Sequence, residues 1–172
     1  MPFAKTKSEG HAAFTTQLMP DVMRPSNLVV EPLIDLAQLV ELEADARSDG
    51  RAMVSRFIEE WRDGRNRFNR PGERAYVAQW SERTSGVCGL NVDPFAGSNS
   101  IGRVRRLYVA AQHRRNGIGS AIISRLMADA CGAFEWIHLR THDPVAAAFY
   151  EAIGFAPVSG DDKCTHRRRV VA

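Results

Sequence analysis

The stretch Arg114-Arg115-Asn116-Gly117-Ile118-Gly119-Ser120-Ala121 joins an apolar, strand-like run to a helix-like one. A helix start presents unpaired N–H groups and the positive end of the helix dipole, so such a junction can hold phosphate oxygens. Gly117 and Gly119 would let the backbone approach that ligand where a Cβ would strike it. His113, Arg114 and Arg115 add positive charge at the mouth. The Lys-Ser/Thr pair of a nucleotide P-loop is missing, and so is the third glycine of a dinucleotide-binding turn. Taken alone, the stretch is equally consistent with a glycine-containing turn that binds nothing. Cys88, Cys131 and Cys164 are few, odd in number and far apart. They predict neither a disulfide framework nor a zinc cluster, and no covalent cysteine intermediate is expected from them.

Three other stretches stand in order around this one. Leu107-Tyr108-Val109 precedes it, Ala147-Ala148-Phe149-Tyr150-Glu151-Ala152-Ile153-Gly154-Phe155 follows about 30 residues on, and Cys164-Thr165-His166-Arg167 lies near the end. Together they resemble the GCN5-related N-acetyltransferases (GNAT), whose acetyl-CoA signature is matched by Arg114-x-x-Gly117-x-Gly119. The resemblance covers roughly residues 27–171 and is strongest over 101–156. It implies that the strand Ile101–Val109 bulges and splays from its neighbour, with the pantetheine arm of acetyl-CoA in the gap. Leu107, Tyr108 and Val109 would then offer the cofactor-binding strand, with main-chain groups of Leu107 and Val109 on the arm. The amides from Arg114 or Arg115 through Asn116, Gly117, Ile118 and Gly119 to Ser120 would hold the pyrophosphate.

The resemblance also places Tyr150 where many members have a general acid. A phenol aimed at the sulfur can protonate the departing CoA thiolate; the plainer alternative packs its ring behind Phe149. Two positions depart from the family pattern. Where many members carry an Asn that contacts the cofactor arm, seven residues before that Tyr, this chain has Asp143, a cofactor-binding candidate that can accept but not donate when ionised and could instead cap the helix begun at Pro144. Where some members carry a basic Glu on the bulged strand, this chain has Arg103. The base must then come from elsewhere: His142 is the first candidate, with His138, Glu31 and Glu82 behind it and a water relay as the alternative.

The elements that must position these groups follow from hydrophobic periodicity. Strands are predicted at Leu28–Pro32, Arg74–Trp80, Val87–Val92, Ile101–Val109, Phe134–Arg140, Gly154–Val158 and Thr165–Val171. Helices are predicted at Leu33–Arg47, Ala52–Asp63, Gly117–Cys131 and Asp143–Ile153, with Ser81–Gly86 as a hairpin turn. The order β-α-α-β-β-β-α-β-α-β-β gives an α/β fold: a mixed, mostly antiparallel sheet of six to seven strands flanked by four helices. Residues 1–26 read as an extension and 27–172 as one domain.

Composition is that of a soluble globular chain: 172 residues, 44% hydrophobic and 25% charged. No apolar run reaches membrane-spanning length, and the first residues lack the apolar core of a secretory signal, so a cytoplasmic setting is expected. Residues 1–100 carry 12 basic and 14 acidic side chains, and residues 101–172 carry 11 and 6. Six arginines between Arg51 and Arg70 could attract an acidic acceptor. They read more simply as a solvated face balanced by Glu59, Glu60, Asp63 and Glu73. Arg167-Arg168-Arg169 would alternate faces in a strand and guard a sheet edge, which argues against nucleic acid. The expected activity is N-acetyl transfer from acetyl-CoA to a primary amine, of a small molecule or of a peptide or protein, by direct attack in a ternary complex, in a monomer or homodimer that uses no metal. A non-catalytic acyl-CoA-binding module of the same fold is the alternative.

Overall fold

The computed structural model of the chain describes residues 27–171. The expected extension, residues 1–26, lies outside them. Among the described residues there are seven strands: β1 (Leu28–Pro32), β2 (Arg74–Trp80), β3 (Arg83–Val92), β4 (Ile101–Val109), β5 (Trp136–Leu139), β6 (Ala156–Pro157) and β7 (His166–Arg169). They form one sheet in the order β1-β2-β3-β4-β5-β7-β6. Only the β4–β5 pair is parallel. Four α-helices flank it: α1 (Val40–Ser48), α2 (Met53–Arg62), α3 (Ile118–Ala130) and α4 (Pro144–Ala152). The predicted order of elements is the one observed.

Strand alternation sends side chains into two cores. On β2, Tyr76 and Ala78 face the α3 side, where they join Leu90, Val104, Ile122, Leu126, Ile137 and Tyr150. Ala75 and Val77 face the α1–α2 side and pack with Leu39, Leu42, Val54, Phe57 and Phe68. Phe57 and Phe68 stack with ring centroids 5.0 Å apart. Phe68 also presses on Gly89, where an added Cβ would lie 2.3 Å from its ring. That contact seats the loop between α2 and β2 against the sheet.

Several boundaries differ from the sequence reading for local reasons. The first helix starts later, as a 3₁₀ turn over Leu36–Leu39, because Asp35 and Gln38 form a capping box ahead of it. The hairpin turn is two residues, not six: Ser81 and Glu82 adopt φ of 50° and 66°, the primed-turn geometry that suits twisted strands. β6 is short because Gly154, at φ 93°, ends α4 with a left-handed turn in which the Phe155 amide donates to the Tyr150 carbonyl at 3.0 Å. β7 is not an edge strand, since it lies between β5 and β6. Its arginines are therefore not an edge guard: Arg168 donates to the Ile153 carbonyl at 2.7 Å, and Arg167 lies over the Trp136 ring.

Candidate active site

β4 is the strand on which the site is built. It pairs with β3 along its length, but the register slips by one residue between Val87 and Gly89. The extra residue sits on β4, where Arg106 has φ 59°. A non-glycine residue there is a bulge held by its surroundings. On its other side β4 meets β5 only through Ile101↔Trp136, Gly102↔Ile137 and Arg103↔His138. Beyond Arg103 the two strands part, so Val104–Val109 has no strand partner on that edge. The gap is a template for an extended ligand with amide groups of its own. Leu107 and Val109 line this part of the strand and are half-buried against the α3-side core. Tyr108 points the other way, donating to Asp45 Oδ2 at 2.8 Å.

The strand runs into the phosphate-type loop. α3 makes its first intrahelical bond from the Ala121 amide to the Gly117 carbonyl, which leaves the Ile118, Gly119 and Ser120 amides free at the helix start. Gly117 is the N-cap with φ 77°, and its Cβ position is open; backbone conformation, not crowding by the protein, requires glycine there. Gly119 has a further role, because a Cβ on it would stand 3.2 Å from Phe149 of α4. Asn116 ties the turn by donating to the His113 and Arg114 carbonyls, both at 3.2 Å. Arg114 turns away from the loop mouth: its guanidinium pairs with Asp49 and donates to the Val109 carbonyl at 3.1 Å. The hydrogen bond from Arg114 holds the Asp49 carboxyl below its usual range. The exposed cation left at the mouth is Arg115, at φ 64°.

α4 brings the proposed acid. Tyr150 is 7% exposed, edge-on to Phe149 and Phe155. Burial pushes its phenol up, so it stays protonated and can donate. Burial likewise pushes the Cys88 thiol up, which makes it a poor nucleophile. Asp143 is the N-cap of α4, accepting from the Val145 amide at 2.9 Å, and it faces Arg51 at 3.6 Å. His142 is exposed in the loop after β5.

A family model described as an acetyltransferase (GNAT) domain matches residues 71–157, which is the sheet from β2 through the bulged β4, the glycine loop and α4. The chain belongs to the GNAT acetyltransferase family. Among solved structures, a protein of Exiguobacterium sp. 255-15 assigned as an acetyltransferase superposes with a TM-score of 0.73 at 27% identity, covering 83% of this chain and 93% of that one. A GNAT-family acetyltransferase of Staphylococcus aureus Mu50 gives 0.66 at 15% identity over 84% and 99%, and an acetyltransferase of Thermus thermophilus gives 0.65 at 17% over 86% and 99%. The last two show likeness of fold. No curated protein matches the chain in sequence.

This GNAT chain places polar groups on the α1–α2 face that sequence reading missed. Glu60 and Glu73, read as balancing charges on a solvated face, are 8% and 4% exposed. Glu60 reaches the bulge from α2, pairs with Arg106, and lies 3.5 Å from Arg105. Burial pushes its carboxyl up, but the two arginines outweigh this and leave it below its usual range. Asp93, after β3, accepts from Arg103 Nε at 3.0 Å and meets His138 Nδ1 at 3.0 Å. Arg103 is thus a buried cation on the strand, and Asp93 sets a carboxylate against it. No signal short of the fold pairs Glu60 with Arg106 or Asp93 with His138. Among the described residues, no cluster of three or more His, Cys, Asp or Glu could hold a metal, and no helix is long and apolar enough to cross a membrane.

Proposed function

We propose that the protein transfers the acetyl group of acetyl-CoA to a primary amine by direct attack in a ternary complex. The observation that carries this reading is the parting of β4 from β5 beyond Arg103, in line with the free amides at the start of α3. Those features fit the two halves of the ligand. The open Val104–Val109 edge suits the amide-bearing arm, with Leu107 and Val109 as the main-chain contacts. The Ile118–Ser120 amides, with Arg115 outside them, suit the pyrophosphate. Acetyl-CoA supplies an activated acyl group whose transfer leaves a thiolate.

Tyr150 holds a proton that burial keeps on its oxygen, and it donates to that thiolate. Asp143 caps α4 and so fixes the helix that presents Tyr150. Cys88 stays a thiol, so the acyl group does not pass through it. Two histidines can take the amine's proton. His142 is the exposed one. His138 stands at the last β4–β5 pair with Asp93 behind it, the carboxylate–imidazole arrangement that orients a base.

The test is calorimetric titration with acetyl-CoA, then free-thiol release over an amine panel, for the wild type and Tyr150→Phe. Expected are saturable binding, thiol release, and a roughly 10²-fold or greater loss of kcat in Tyr150→Phe with acetyl-CoA affinity retained. Unchanged kcat removes Tyr150 from the chemistry. Binding without thiol release on any amine favours the non-catalytic module. His138→Gln and His142→Gln separate the bases: the variant that loses kcat while acetyl-CoA affinity holds marks the working one.

A further inference from the structure

A cavity of about 430 Å³ opens on the α1–α2 face beside the bulge. It lies beneath the C-terminal end of α2, between the loop after that helix and the loop joining β3 to β4. Its size suits a small molecule. It lies at the far end of β4 from the glycine loop. Arg105, in its floor, is four residues from Val109, roughly 13 Å along the strand. An arm laid along the open edge from the loop would bring its end beside Arg105. The role of the cavity rests on that placement of acetyl-CoA.

The polar groups of the cavity are unevenly satisfied. Asn91 is 9% exposed, and its side-chain Oδ1 is buried with no partner. Asn91 stands opposite Arg103 in the β3–β4 register and lines the cavity. Arg105 Nε is also buried with no partner. The carboxylates, by contrast, are engaged. Glu60 is paired with both bulge arginines. Glu73 accepts the Val92 amide at 3.0 Å and the Arg70 amide at 3.2 Å. Asp93 is held by Arg103 and His138. Buried polar groups are normally paired, so the open capacity here defines what the cavity takes. It is one guanidinium N–H, a donor, at Arg105 and one amide oxygen, an acceptor, at Asn91. Arg67 and Arg70 add positive charge at its wall, where Arg65 is paired with Asp63 at 2.7 Å. Such a set takes a molecule with an anionic oxygen group for Arg105 and an N–H donor for Asn91 Oδ1. It offers no free carboxylate to receive a polycation.

We propose that this cavity is the acceptor site and that the acceptor is a small amine bearing a carboxylate, an amino-acid-like molecule, with the carboxylate on the Arg105 guanidinium and the amine, donating to Asn91 Oδ1, toward the parted strands. The test uses the full chain and matched probes: L-amino acids, the amines left by their decarboxylation, and their methyl esters. Acetyl-CoA binding is measured separately by calorimetry and also serves as the folding check for Asn91→Leu and Arg105→Gln. Expected is kcat/KM for thiol release at least tenfold higher for one or more amino acids than for their decarboxylated or esterified partners. In both variants KM for that amino acid rises roughly tenfold or more, while acetyl-CoA affinity holds. Equal or better activity on the decarboxylated amines overturns the proposal, as does an unmoved KM in both variants. Failure of acetyl-CoA to bind would sink the transfer reading alone. The cavity is then decided by thermal shift with the amino acids: stabilisation lost in Asn91→Leu keeps it as a carboxylate–amine site, and no stabilisation removes it.

Discussion

Replacing Asp93 by Asn tests whether the carboxylate between β3, β4 and β5 organises this end of the site. The Asp93 and Arg103 side chains are 1% and 4% exposed and meet at 3.0 Å. Arg103 also donates to the Lys163 carbonyl at 2.6 Å, so part of its charge stays solvated by the protein after the change. Removing one member of a buried pair costs about 3–5 kcal/mol, mostly from the charge left behind, and the Lys163 carbonyl points to the lower part of that range. For a chain of this length each kcal/mol lowers Tm by about 2–4 °C, so the expected fall at about 3–4 kcal/mol is roughly 6–16 °C. Urea unfolding should show a lower midpoint at constant slope. The double variant Asp93→Leu with Arg103→Met should recover most of the loss, because it removes both charges. A loss under about 1 kcal/mol for Asp93→Asn, the size of an exposed pair, would refute the reasoning. So would a double variant no more stable than the single.

Three further outcomes follow from the same geometry. Gly89→Ala should cost about 1–3 kcal/mol by overpacking, because its Cβ would stand 2.3 Å from Phe68; urea unfolding measures it, and the acceptor KM should rise as the cavity wall shifts. Gly117→Ala should cost about 1–2 kcal/mol from backbone strain alone, since φ is 77° and the space is open; a neutral result would mean the loop relaxes. Glu60 has a folded-state pKa below its ordinary 4.5, so its contribution is present above that value and lost as pH falls through the depressed one. Glu60→Gln should therefore be less stable than wild type at neutral pH, with the difference shrinking below pH 4.5 in acid titrations followed by circular dichroism.

What was legible in the sequence was local. The glycine loop, the α3 periodicity and the Phe149-Tyr150 helix lie in contiguous stretches whose spacing reflects one helix or one turn. The helix cap at Asp143 was readable for the same reason. The groups on the α1–α2 face were not. Glu60 and Arg106 are 46 residues apart, and Asp93 and His138 are 45. In sequence, a buried paired charge looks the same as a solvated one, so Glu60 and Glu73 merged with the exposed run around them. Asn91 had no signal, because an unpartnered amide becomes visible only once the strand that buries it is placed. The bulge was foreseen only through family resemblance: its left-handed residue is Arg106, where sequence alone would look for glycine.

That one residue accounts for the division of labour between the two faces. Before the bulge, even-numbered residues of β4 face the α3 side, as Val104 does. After it, odd-numbered residues do: Leu107 and Val109 pack on that side, and Tyr108 is turned to the α1–α2 core. Between them, Arg105 and Arg106 both meet Glu60 on the α1–α2 face. Without the extra residue Leu107 would continue the Arg103–Arg105 face, and Tyr108 would be carried away from Asp45. Glu60 therefore does more than neutralise two arginines. From the helix opposite it holds the left-handed Arg106, on the stretch of β4 that has already parted from β5, and so fixes which face each residue after the bulge presents.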